Sequence, residues 1–158
     1  MLILMKLLDA ITLLFLSMIT AGGIVMDCHL FLPSHYYLKL MIDDYIREKR
    51  QYLLLEMPEF YKALLYYHLL VNWPLAVISL YGFTFRRFWF STTTLILSIS
   101  FASISVPVLG ELIGSGRGSA ELIRTYFIFF ALAVIVLFCS LLVSPTARTR
   151  TRMTKEMG

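Results

Sequence analysis

FYKALLYYHLLVNWPLAVISLYGF, residues 60–83, is a 24-residue stretch with one formal charge, Lys62, near its start. A helix rises 1.5 Å per residue, so about 20 predominantly apolar residues cover the roughly 30 Å of hydrocarbon in a bilayer. The stretch is therefore read as a membrane span. The remainder of the chain agrees with that reading. Of its 158 residues, 59% are hydrophobic and 15% charged, and the mean hydropathy is +0.78. Soluble domains lie nearer half apolar and a quarter charged. Aromatic residues, at 15%, suit a chain with two lipid–water interfaces to occupy.

Three more apolar segments of spanning length lie at 6–26, 89–113 and 122–143. In hydrocarbon every backbone polar group must be satisfied internally, and the alternation of barrel strands is absent, so the segments are read as helices. The expected fold class is an all-α membrane protein, a four-transmembrane-helix bundle with an amphipathic helical first loop. Residues 1–144 form its one domain and 145–158 a basic cytosolic tail. The first segment, with Lys6 before it and the small residues of ITAGG (19–23) near its end, also has features of a signal peptide. It exceeds a typical signal-peptide apolar region of roughly 7 to 15 residues, so a retained span is the favoured reading.

Basic residues set the orientation. With four spans, the N-terminus, second loop and tail share one side, holding Lys6, Arg86, Arg87, Arg148, Arg150, Arg152 and Lys155. The other side has Lys39, Arg47, Lys49, Arg50 and Arg117 in its loops. The purely basic run TARTRTR (146–152) tips the balance and places both termini in the cytosol. The first loop, HYYLKLMIDDYIREKRQYLLLEMPEFY (35–61), repeats apolar residues near helical spacing at Leu38, Met41, Ile42, Tyr45 and Ile46. It is read as an amphipathic helix lying across the mouth of the bundle.

The net charge of +4 is spread over loops and tail and forms no basic face, which argues against nucleic acid as a partner. Cys28 falls near one membrane surface and Cys139 inside the last span, so neither a disulfide nor a metal site is expected, and no cofactor is called for.

Polar groups inside spans are costly and need a partner or a role. His68 and Asn72 stand four apart and share a helix face with Tyr61 and Leu65. Pro74 cannot donate to the carbonyl of Leu70, so a kink or loosened turn is expected beside them. Such a pair lines a pocket wall or makes an ordinary interhelical hydrogen bond. In STTTLILSISFASISVPVLGELIG (91–114), Ser100, Ser103, Pro107 and Glu111 fall along one face, and the serines are read mainly as packing. Glu111 and Arg124 lie near one membrane side, where an ion pair between them is expected. Asp27, in GGIVMDCHLFLPS (22–34), ends the first segment. It is either the helix's return to water or a charge in a covered pocket, where it would seek His68 or a bound amine. Periodicity leaves both readings open.

MDCHLFLP (26–33) followed by LLLEMPEFYKALLYYHLLVNWPLAVISLYGF (53–83) resembles the sigma-2 receptor branch of the EXPERA superfamily, which also holds the emopamil-binding sterol isomerases. The pattern is an acid and a Leu-Pro step after helix one, Glu-x-Pro before helix two, and a polar pair ahead of a proline inside helix two. Pro107 in the third span matches as well. The likeness extends to about residue 144.

The resemblance implies a pocket open toward the bilayer that takes sterols and lipophilic cationic amines, with Asp27 meeting the amine. A second family acid falls on His68, a glutamine on Asn72, and a third acid on Gln51. Tyr126 takes the place of a pocket tyrosine, and Leu54 is counted with the site. Pro33, Glu56, Pro58, Pro74 and Pro107 are the structural positions. With two of three family acids replaced, amine binding should be weaker than is usual in the family and pH-dependent near the imidazole range.

The isomerase branch uses a histidine one turn before the helix-one acid and a glutamate in helix two. Gly23 and His68 stand there instead. The implied function is non-enzymatic sterol or lipid binding in the endoplasmic reticulum membrane, serving sterol trafficking or homeostasis. The implied associates are a homodimer partner and a sterol-transport membrane protein. A sterol isomerase-like enzyme and a membrane-protein interaction or chaperone factor are the alternatives.

Overall fold

The computed structural model describes residues 2–23, 37–48 and 52–142, and the elements among them are all helical. Helix α1 is Leu2–Gly22, α2 Tyr37–Glu48 and α3 Tyr52–Glu56. Helix α4 (Glu59–Tyr67), a π-turn at His68–Asn72 and α5 (Trp73–Thr84) run on without a break, and α6 (Phe90–Gly114) and α7 (Ala120–Leu142) follow. Among the described residues three helices are long and apolar enough to cross a membrane: Glu59–Thr84, Phe90–Gly114 and Ala120–Leu141. Their bounds lie within two residues of those read from the sequence. The first segment starts four residues earlier than expected, at Leu2, because nothing before Lys6 breaks a helix.

Helix α1 packs against α5 and α7, and α6 packs against the same two, so the four long helices close a ring. At one end its centre is solid. Phe15, Leu16 and Ile19 of α1 meet Ala76, Leu97, Ala133 and Val136 there, all buried. At the same end Arg86 Nη1 approaches Asp9 Oδ2 to 4.0 Å, joining the start of α1 to the α5–α6 turn.

The loosened turn expected from Pro74 is present as the π-turn. The N–H of Trp73 reaches back five residues to the carbonyl of His68. A proline cannot complete the regular ladder, and the wider turn absorbs the defect inside a span where no water can. Pro107 lies within α6 without ending it. Several hydroxyls on α6 bond back into their own helix: Ser98 to Leu95 O, Ser103 to Ile99 O and Ser105 to Phe101 O, at 2.8 to 2.9 Å.

The first loop contains the expected helix, with a difference. Ile46 is buried, but Met41, placed on the same stripe by spacing, is 55% exposed. The side chains of Leu38, Ile42 and Tyr45 lie outside the described residues. It is α3 that covers the bundle. Tyr52 and Leu53 pack with Val108, Leu112 and Leu122 of α6 and α7. Met57 ends α3 in the left-handed region (φ 43°), its N–H bonded to Leu53 O at 3.1 Å. Pro58 then starts α4, its carbonyl accepting from Tyr61 and Lys62.

Two packing details generate predictions. Gly23 is buried against Trp73, whose indole Nε1 donates to Thr20 O at 3.1 Å, and a Cβ at position 23 would lie 2.1 Å from Trp73 Cδ1. Gly23→Ala is therefore expected to lower stability by about 1 to 3 kcal/mol, as overpacking does. An unchanged thermal midpoint in detergent would refute the close fit. Ser79 Oγ and Thr94 Oγ1 are buried without a hydrogen-bond partner among the described residues. Thr94→Val keeps the shape and removes the orphan hydroxyl, so it should stabilise by about 1 kcal/mol. A clear loss of stability would show that the hydroxyl has a partner.

Candidate functional site

The opposite end of the ring is hollow. A cavity of about 350 Å³ lies there, inside the roof made by α3. Three spans line it in the same way. The continuous α4–π–α5 span contributes Tyr61, Leu64, Leu65 and His68; α6 contributes Phe101, Ile104, Ser105 and Val108; α7 contributes Leu122, Thr125, Tyr126 and Phe129. Each set is spaced i, i+3, i+4, i+7, two turns of one helix face. Met18, Ile19 and Gly22 of α1 close the fourth side, and Leu54 of α3 reaches in from the roof. Phe101 forms the floor, edge-on to His68 (5.6 Å between centroids) and to Phe15 of the solid core (5.7 Å).

The polar groups in this apolar chamber are few. Tyr61 and Tyr126 bring their hydroxyls to 3.1 Å of one another, joining the α4–α5 span to α7. Thr125 Oγ1 donates to Glu121 O and Ser105 Oγ to Phe101 O, so both hydroxyls turn into their own helices. Ser119 and Glu121 stand at the rim, where Ser119 Oγ accepts from the N–H of Leu122 and caps α7. His68 is the only imidazole on the wall among the described residues.

Of the residues expected at the site, Leu54, His68 and Tyr126 line the cavity together. Asn72 does not. It is completely buried against α6, with its side chain between His68 and Ser100. Asp27, Gln51 and Pro33 lie outside the described residues, and with them the Asp27–His68 pair. Pro74 and Pro107 lie within helices and Glu56 and Pro58 at the α3–α4 corner. Sequence reasoning missed Phe101, Ser105, Leu122, Thr125 and Phe129. The i, i+3, i+4, i+7 spacing exists for each, but α7 is apolar on nearly every side and α6 carries hydroxyls on more than one side, so spacing alone selects no face.

The expected Glu111–Arg124 pair does not form. Arg124 is exposed on the second turn of α7, while Arg117 sits in the short α6–α7 turn that Gly116 (φ 64°) allows. Arg117 makes a two-pronged contact with Glu56, its Nη1 donating to Oε2 at 2.9 Å. Its guanidinium also lies over the Tyr52 ring, 4.5 Å from the centroid. Tyr52 OH in turn meets Ser115 Oγ at 2.9 Å and Glu111 Oε1 at 3.4 Å. This cluster ties the roof to the α6–α7 turn at the cavity's rim.

The hydrogen bonds from Arg117 hold the Glu56 carboxyl below the usual carboxylate range, and Glu56 raises Arg117 in return. A depressed folded value means that the contribution is present at neutral pH and is lost as pH falls through that value; the raised Arg117 loses its contribution only above the guanidinium range. Both side chains are about half exposed, so the effect is small. Glu56→Gln should lower the thermal midpoint slightly at neutral pH and match wild type once Glu56 itself is protonated. A gap between the two proteins that persists into acid would refute the pairing.

Comparison of the chain with models of protein families, with curated proteins and with solved structures gives no match, so the likeness to the EXPERA superfamily rests on the residues quoted above.

Proposed function

We propose that this chain is a multi-pass protein of the endoplasmic reticulum membrane that binds a sterol or related lipid in the cavity at the α3 end of its bundle, without transforming it, and so serves sterol trafficking or homeostasis. In this reading α1 is a fourth span, both termini face the cytosol, and the roofed end faces the lumen. The bilayer supplies the ligand. A second copy of the chain and a sterol-transport membrane protein are the partners that the EXPERA resemblance suggests, and lipophilic amines are secondary ligands that would engage Asp27.

One observation carries the reading: three apolar spans each turn a two-turn face into a common chamber of about 350 Å³ with a small set of polar groups on its wall. Ligand sites have this character, largely apolar, roughly 300 to 1,000 Å³, with a few placed polar groups that orient the guest. Soluble substrates would find little to bind there, whereas a rigid apolar body with one oxygen suits the wall. The non-enzymatic part is supported by Gly23. At the position of the isomerase histidine, Trp73 already occupies the space that a side chain would need.

The test is photo-crosslinking of a sterol probe to the full-length protein in lipid. Labelling is expected on residues of the cavity wall and should be abolished by Leu65→Trp, which fills the chamber. His68→Leu removes one hydrogen-bonding group and should weaken binding by about 1 kcal/mol, roughly fivefold. Asp27→Asn should matter for a cationic probe more than for a neutral sterol. Labelling that ignores Leu65→Trp would sink the cavity as the site. Conversion of a sterol with a displaced double bond would overturn the non-enzymatic reading.

A further inference from the structure

The end of the bundle away from the cavity carries a turn that sterol binding does not use. Residues 85–89, Phe-Arg-Arg-Phe-Trp, join α5 to α6. Helix α5 stops there through two bonds: the N–H of Arg87 reaches Gly82 O at 2.9 Å and the N–H of Arg86 reaches Phe83 O at 3.2 Å. This stop needs a left-handed residue, and Arg86 supplies it with φ 50°. Glycine, with no Cβ to strain, is the usual occupant of the position. Here an arginine holds it.

Neither guanidinium is used up by the fold. That of Arg86 lies over the Phe83 ring, 5.9 Å from the centroid, and 4.0 Å from Asp9, too far for a hydrogen bond. Arg87 is exposed and has no side-chain partner among the described residues. Beside them Phe85 is exposed and Phe88 is 86% exposed. The Trp89 ring is seated on Gly82, where a Cβ would come within 2.7 Å of its Cζ3. It lies nearly parallel to the Tyr81 ring, which meets Phe85 at 4.5 Å between centroids. The indole N–H has no acceptor among the described residues.

Bare rings suit acyl chains, while guanidinium and indole N–H groups suit phosphate and ester oxygens, so the headgroup layer of a bilayer satisfies both. Charge then selects the lipid. At this end Lys6, Arg86 and Arg87 face one acid, Asp9, whereas at the roofed end, from α3 onward, Glu56, Glu59, Glu111 and Glu121 outnumber Lys62, Arg117 and Arg124. We propose that the α5–α6 turn is a binding site for the headgroup of a phospholipid of net negative charge. Arg86 and Arg87 meet its charge, the Trp89 N–H donates to its oxygens, and Phe85 and Phe88 lie among its chains. The site rests on the membrane placement proposed above and is independent of the cavity and its ligand.

The chain has two tryptophans, and Trp73→Phe leaves Trp89 as the sole fluorophore. The full chain is placed in phosphatidylcholine vesicles holding a minor share of a chain-brominated quencher, either phosphatidylserine or phosphatidylcholine. The serine lipid should quench Trp89 at a share about fivefold lower than the choline lipid, the preference expected of a basic residue beside an anionic lipid. Arg87→Gln should erase most of that preference. So should Arg86→Gly, which gives the turn its least strained residue and should keep the thermal midpoint. Phe88→Gln removes an apolar anchor rather than a charge and should weaken quenching by both lipids alike. Equal quenching in the unsubstituted turn would overturn the proposal and leave the arginines as determinants of orientation alone. A preference that survives both arginine substitutions would also overturn it, by assigning the lipid to basic residues elsewhere. Both results leave the membrane placement intact. Water-exposed Trp89 emission that neither lipid quenches would overturn the site and that placement together.

Discussion

One backbone hydrogen bond cannot be made in the middle of a span, and much of the molecule is arranged around that lack. Pro74 has no N–H to give. In water the bereaved carbonyl would be solvated; in hydrocarbon it must be accommodated by the chain itself. The accommodation is a π-turn at His68–Asn72, which places a histidine at its first position and a buried amide at its last. The amide is then satisfied from α6, and the histidine looks into the cavity. A defect in one helix becomes a polar seam between two, at the boundary between the hollow and solid parts of the bundle.

That boundary divides the labour of the ring. On one side the helices meet through Phe15, Leu16, Ala76, Leu97 and Val136, with small residues allowing close approach. On the other the same helices leave space, and an interior that could pack densely does not. At the hollow end the Tyr61–Tyr126 hydroxyl contact joins two of the spans beside the chamber. That end is held partly from its edge, by Tyr52 and Leu53 under the roof and by Arg117 clasping Glu56. The polar contacts sit where water is near, and the apolar ones face the chamber.

How much of this was legible in the sequence follows from which solvent wrote each feature. Lipid imposes length and apolarity, so the last three spans were readable to within two residues. Proline chemistry is local, so the loosened turn at Pro74 was readable too. Facing directions were not. Helix α7 is apolar nearly all round and α6 carries hydroxyls on more than one side, and nothing in their composition says that Phe101 and Phe129 look inward while Phe138 looks out. The four-residue step from His68 left Asn72 either on a pocket wall or in an interhelical hydrogen bond, and its amide takes the second course, to Ser100 of a neighbouring helix, a contact far away in sequence. Glu111, near the end of α6, and Arg124, on the second turn of α7, do lie toward one end of the bundle, but height along the bundle does not give azimuth, and Arg117 is the arginine at that rim. Leu54, His68 and Tyr126, named for the site, line one cavity. Tyr126 was named from the EXPERA resemblance and not from periodicity.

The contact between Gly23 and Trp73 also governs the order in which the sequence can change. The indole fills the volume that any side chain at position 23 would require, and its nitrogen is tethered to the carbonyl of Thr20. The two positions are therefore not independent sites. A substitution at 23 meets a wall until 73 has become smaller, and a smaller residue at 73 leaves a gap and an untethered helix end until 23 has become larger. Any path that installs an acid–base group at position 23 must cross that intermediate, so the pair acts as a historical lock on the chemistry this bundle can acquire.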